Sequence, residues 1–114
     1  MNGTPKTISG PAYLTGSAAD VYTPPASTII TMIRQIHLAN TDASAAMTVT
    51  LYRGGTGGST GGTELCKGLS IPAAETRDLF FDDLVMKSTD FLSGLASTTN
   101  KVAITVIGHQ IVTP

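Results

Sequence analysis

Apolar and polar positions alternate along most of this chain, at the period of two that a half-buried β-strand requires. Residues 46–53, AMTVTLYR, show it most cleanly. Met47, Val49 and Leu51 fall on one face, while Thr48, Thr50 and Tyr52 fall on the other. Residues 28–39, TIITMIRQIHLA, form the longest such run. There Ile30, Met32, Ile36 and Leu38 share one parity with Arg34 among them, and Ile29 and Ile33 have the other. A strand with apolar residues of both parities is either central in a two-layer structure or changes phase at a bulge near Ile33 and Arg34.

Further strands are expected at residues 21–23, 64–69, 76–81, 84–86, 90–96 and 101–112. Leu65 and Leu69 should face inward together, as should Leu79 and Phe81. In the last strand Val102, Ile104 and Val106 share one face, and Ile107 and Ile111 the other. Turn chemistry separates the strands. Pro24–Pro25 cannot donate to a ladder, and Asn40, Thr41 and Asp42 bond readily to nearby backbone. Residues 54–62 are a glycine-rich tip, Pro72 marks a connection at residues 70–74, and Asp82–Asp83 reads as a turn. About seven to eight short strands with regular turn signals, and no helical pattern, predict a single-domain antiparallel β-sandwich.

Residues 1–20 fit this pattern poorly. They are rich in Gly, Pro, Ser and Thr, and Tyr13–Leu14 is their sizeable apolar pair. Such a segment is either a frayed terminus or an extended arm. In the second case Tyr13 and Leu14 dock on a neighbouring subunit. The expected organisation is thus an N-terminal arm, residues 1–20, and a β-sandwich domain, residues 21–114.

Composition narrows the class. With 114 residues, 41% of them hydrophobic and 13% charged, the chain can bury one core and is not a disordered tail. A formal net charge of −1, with seven scattered basic residues, gives no footprint for nucleic acid or an anionic membrane. No run approaches the length of a membrane-spanning helix, and MNGTPKTISG lacks the apolar stretch of a signal peptide. Folding in a cytoplasm is therefore expected. Cys66 is the single cysteine, so no intrachain disulfide forms.

Chemistry is sparse. Asp78, Asp82 and Asp83, in RDLFFDD, are oxygen ligands of the type calcium accepts, but they lack the spacing of a dedicated loop and read as a solvated strand end. His37, His109 and Cys66 suit zinc by type. They have no closely spaced ligand pair, and packed or surface side chains account for them. Cys66 has no motif supplying the base and orienting group of a nucleophile. The loop GGTGGSTGGTE has no Lys-Ser or Lys-Thr after its glycines and leads into a strand rather than a helix, so it is not a phosphate loop. It reads as a mobile hairpin tip, or as a small-residue surface through which Gly57 and Gly58 lie close against a partner. No enzyme, metal or cofactor is expected.

Two segments, YTPPASTIITMIRQIHLANTDASAAMTVTLYRGG and KVAITVIGHQIV, together resemble small β-sandwich virion structural proteins of tailed bacteriophages, including head decoration (cement) proteins. The resemblance spans residues 22–112 and leaves the first twenty outside. It implies a structural virion component, and the leading reading is a capsid decoration protein that binds and stabilises the assembled phage head. Its partners would be the major capsid protein or other virion subunits, and its own state a homo-oligomer, a trimer favoured. It would fold in the host cytoplasm and reside in the virion. The alternative is a carbohydrate- or receptor-binding module of a tail or fibre, for which outward-facing Tyr52 is the one plausible platform. The contact residues expected on these grounds are Tyr13, Leu14, Tyr52, Gly57 and Gly58.

Overall fold

The computed structural model describes residues 6–54 and 63–112, the side chain of Asp83 excepted. Eight strands follow one another: β1 Lys6–Tyr13, β2 Ala19–Tyr22, β3 Ile29–Asn40, β4 Met47–Gly54, β5 Glu64–Ile71, β6 Thr76–Met86, β7 Phe91–Ala96 and β8 Val102–Val112. They form two four-stranded sheets, ordered β1-β8-β3-β6 and β2-β7-β4-β5, with every pairing antiparallel. The chain is a long hairpin wound up on itself. β4 pairs with β5, β3 with β6, β2 with β7 and β1 with β8, and successive pairs fall in alternate sheets. That winding is the eight-stranded jelly roll.

The ambiguity in β3 is resolved by a bulge. Its register against both β6 and β8 shifts between Ile33 and Gln35, leaving Arg34 exposed. One extra residue reverses parity, so Thr31 and Ile33 point inward before the bulge and Ile36, Leu38 and Asn40 after it. Beside the bulge, β8 runs so close that a Cβ on Gly108 would collide with the Met32 carbonyl oxygen. Only glycine fits there.

Asp82–Asp83 is not a turn. β6 runs unbroken from Thr76 to Met86 because its residues between Phe80 and Leu84 lie across the β3 bulge, where both strands depart from regular pairing. Ile71, expected in a connection, ends β5 fully buried. The chain from Lys6 onward also joins the sandwich. β1 pairs with β8 despite register shifts around Ser9 and Gly10–Pro11, where Pro11 has no N–H to donate. Leu14, just beyond it, is buried in this chain's own core.

The core lies between the sheets. Ile33, Ile36, Leu38, Val102, Ile104 and Val106 from the first sheet meet Val49, Leu51, Ile71, Leu92 and Ala96 from the second. Burying an aliphatic side chain of this size contributes about 1.5–3 kcal/mol, which makes this contact the main source of stability. A Cβ on Gly94 of β7 would sit 2.6 Å from the Leu51 Cδ2, so a larger residue there must displace that buried side chain.

Polar bridges tie the two sheets together. Buried Asn40 directs its amide NH2 at the carbonyls of Ala45, Ile71 and Pro72, at 2.9, 3.0 and 3.2 Å. Its Oδ1 accepts from the Asp42 N–H at 2.9 Å. Elsewhere, the Tyr22 hydroxyl lies 2.7 Å from Thr31 Oγ1 and accepts from Gln110 at 2.8 Å, joining β2 to β3 and β8. Substituting Asn40→Ala leaves the Ile71 carbonyl without its buried partner and removes the part-buried bonds to Ala45 and Pro72, at about 1–3 kcal/mol for a buried group left unpaired. The expected loss is about 3 kcal/mol, read as a fall in Tm of about 10–20 °C in thermal denaturation. A fall of a degree or two would mean that the bridge does not hold this corner.

Candidate functional site: the outer face of the first sheet

The two outer faces differ in chemistry. On the second sheet β4 turns Thr48, Thr50 and Tyr52 outward, with Ser93 opposite Tyr52. Leu95, opposite Thr50, shares that face, but the exposed large apolar residues belong to strands of the first sheet. In cross-strand rows its outer face carries His109, Met32 and Val85, then Ile107, Gln35 and Phe80, then Thr105, His37 and Asp78. Tyr13, opposite Ala103, closes the face on the β1 side. Phe80 is 73% exposed, Tyr13 53% and Val85 39%, while Met32 and Ile107 are half-buried. Phe80 and Val85 sit together on β6 at one margin of this face, and Tyr13 on β1 at the other. Phe80 is there because Phe80 and Phe81 are consecutive in a strand. Only one of them can turn inward, and Phe81 packs against the core.

Within this face lies a polar cluster. Asp78 Oδ1 receives the Gln35 amide at 2.9 Å and stands 2.6 Å from His37 Nδ1. These hydrogen bonds, that from His37 foremost, hold the Asp78 carboxyl below the usual carboxylate range. Asp42 is lowered as well, chiefly by the N–H groups of Ser44 and Ala45, with Lys101 3.6 Å away adding to the effect. The His37–Asp78 pair lies on an open sheet surface, both side chains about a third exposed, where charge pairs contribute little.

At the opposite margin, where β1 of one sheet lies over β2 of the other, a pocket of ≈ 170 Å³ opens. Its walls are Ala12, Tyr13, Ala19 and Val21, and Leu14, Gly94 and Ile104 reach it from the core side. It is apolar, and Asp20 is its charged lining residue.

The expected contact residues are dispersed. Tyr13 is on the outer face of the first sheet and at the pocket. Leu14 packs into the core and so supports Tyr13 from below. Tyr52 stands half-buried on the other sheet, so the structure does not bring it to Tyr13. Gly57 and Gly58 lie outside the described residues. His37 and His109 do belong to paired strands, but His37 faces Thr105 and His109 faces Met32, roughly 15 Å apart along the ladder. Cys66 is in the other sheet, half-buried, and burial pushes its thiol pKa up, away from nucleophile behaviour. Among the described residues no three His, Cys, Asp or Glu side chains gather as a metal site would need. Among the described residues no helix is long and apolar enough to cross a membrane. His109 is buried, and neither of its ring nitrogens has a hydrogen-bond partner among the described residues. Phe80 and Val85 escaped the sequence reading because a turn was expected at Asp82–Asp83; the adjacent pair Phe80–Phe81 was the signal that one ring must face out.

No family model matches this chain, and no curated protein does. Solved structures do share its fold. A chain from Bacillus endospore appendages, described as a novel family of disulfide-linked pili, superposes with a TM-score of 0.57 at 12% identity, covering 100% of this chain and 92% of that one. A chain of infectious bursal disease virus, Gx strain, superposes with a TM-score of 0.50 at 11% identity, covering 93% of this chain and 31% of that one. This chain thus spans about a third of the viral one. At such identities the likeness shows the fold. It is a sandwich shared with a pilus chain and a virus chain.

The Asp78 cluster has a testable pH signature. A carboxyl lowered in the folded state adds stability that is present above its ordinary value near 3.9 and is lost as pH falls through the lower folded value. In Asp78→Asn the decline of Tm between pH 5 and the acid limit is expected to be shallower than in the wild type. Parallel declines would show that the cluster contributes nothing to the fold.

Proposed function

We propose that this chain is a capsid decoration protein of a tailed bacteriophage, binding the assembled head through the outer face of its first sheet and stabilising it. One observation carries the reading: the exposed Phe80, Val85 and Tyr13 on a face that a solitary protein has no reason to keep apolar. The resemblance of residues 22–112 to virion proteins and the jelly-roll fold support it. The partner is the major capsid protein or another shell subunit.

Stabilisation follows from linkage. A protein whose binding surface exists only on the assembled shell favours that state by mass action, as a ligand favours the state it binds. Many copies on one shell, in a homo-oligomer such as a trimer, add avidity to weak single contacts. Aromatic and aliphatic anchors in the centre of the contact then supply most of the affinity, with Gln35, His37 and Asp78 in its polar part.

The test uses phage heads prepared without the protein. Added protein should bind saturably and raise the temperature at which the heads release DNA. Phe80→Asp should weaken that binding at least tenfold while leaving the fold intact, because a side chain so exposed holds little of the core. Heads that neither bind the protein nor gain stability would sink the reading.

A further inference from the structure

We propose that the β1–β2 pocket receives a lysine side chain of the shell partner, its methylenes against the pocket walls and its ammonium beside Asp20. The inference rests on the decoration reading and adds a charged anchor to the contact placed on the first sheet.

The pocket is part of the folded frame. The chain between β1 and β2 crosses from one sheet to the other and is bonded to both. The Leu14 N–H donates to the Val102 carbonyl at 2.9 Å, and the Ala96 N–H donates to the Thr15 carbonyl at 2.9 Å. The Asn100 N–H adds a bond to the Leu14 carbonyl at 3.1 Å. Leu14, Gly94 and Ile104 behind the pocket are buried. A hollow held in this way is filled without first being ordered, which keeps the cost of binding low.

Its chemistry selects the occupant. Ala12, Ala19 and Val21 give carbon walls, the exposed Tyr13 ring stands beside them, and Asp20 is the charged lining residue. Asp20 also lacks a cation. Asp42 has Lys101 at 3.6 Å, Glu75 has Arg77 at 3.6 Å and Asp90 has Arg53 at 3.4 Å, whereas no cation among the described residues pairs with Asp20. A neutral apolar plug would strip water from this carboxylate without offering it a partner, and an anion would be repelled. A sugar would leave the carbon walls uncovered. Lysine meets both halves, with an aliphatic stem for the walls and an ammonium for the carboxylate and the face of the Tyr13 ring.

Size and position agree. A space of ≈ 170 Å³ takes a group of about the bulk of benzene, which an apolar cavity of about 150 Å³ holds, and a lysine side chain is of that order. Arginine is bulkier, and its planar fork of five donors would find a single carboxylate. The pocket opens beside Tyr13, at the β1 margin of the face assigned to the shell, so one partner surface reaches both.

The first arm of the test uses n-butylammonium as the probe, with 1-butanol and pentanoate as its neutral and anionic counterparts. Followed through the methyl signals of Ala12, Ala19 and Val21 in NMR titrations, butylammonium should bind saturably and at least twofold more tightly than butanol, and pentanoate should not bind. Asp20→Asn should erase the preference for butylammonium and keep the wild-type thermal transition, because Asp20 is exposed. A wild type that does not bind butylammonium, or binds butanol equally well, overturns the site. The second arm measures binding to phage heads. Asp20→Asn should weaken it about two- to fivefold, the range that an exposed ion pair supplies. Glu75→Gln, which removes the same charge outside the pocket, should leave it unchanged. Equal effects of the two substitutions overturn the shell lysine as occupant. Wild-type protein that prefers butylammonium but ignores heads overturns the decoration reading and leaves the cation pocket standing.

Discussion

Everything in this sandwich depends on β3 presenting one continuous face to the core. It is the longest strand, it is paired on both sides, and its apolar residues change parity halfway. Without correction, either Ile33 or the pair Ile36 and Leu38 would face solvent. The bulge at Arg34 removes the conflict by adding one unpaired residue. Its neighbours must then adjust: β8 supplies Gly108 where the backbones crowd, and β6 absorbs the matching irregularity on its side. The bulge residue is an arginine, which bears exposure where an isoleucine would not.

The same adjustment shapes the outer surface. Because β6 continues through Asp82 and Asp83 rather than turning, Phe80 stays within the strand, in a row with Gln35 and Ile107. The apolar character of that face is thus tied to the packing of the opposite one. Phe81 fills the inside and obliges Phe80 to face out.

Polar groups hold the ends where the hydrophobic contact between sheets runs out. Asn40 gathers the entry to β4 and the exit from β5, while Tyr22 with Thr31 and Gln110 clasps β2 to the first sheet. Neither bridge adds much favourable energy over water. Their effect is directional, since a misplaced strand end would leave several buried groups unpaired at once.

The sequence alone determined the all-β class, the number of strands to within one, and the inward faces of β4 and β8, because a period of two is a local property that needs no partner to be read. Met47, Val49 and Leu51, and Val102, Ile104 and Val106, all point where their spacing said. It also located the irregularity at Ile33–Arg34, but it offered a central strand and a bulge as equal explanations. Only the pairing of β3 with two neighbours decided between them, since a bulge is defined by what lies across from it. Residues 6–13 show the same limit: β1 has a weak alternation of its own, and it is a strand through its pairing with β8. For the candidate site, Tyr13 was legible as an isolated aromatic in a polar segment. Phe80, Val85 and the β1–β2 pocket were not, because exposure on a sheet and the meeting of two margins are set by long-range topology rather than by neighbours in the chain.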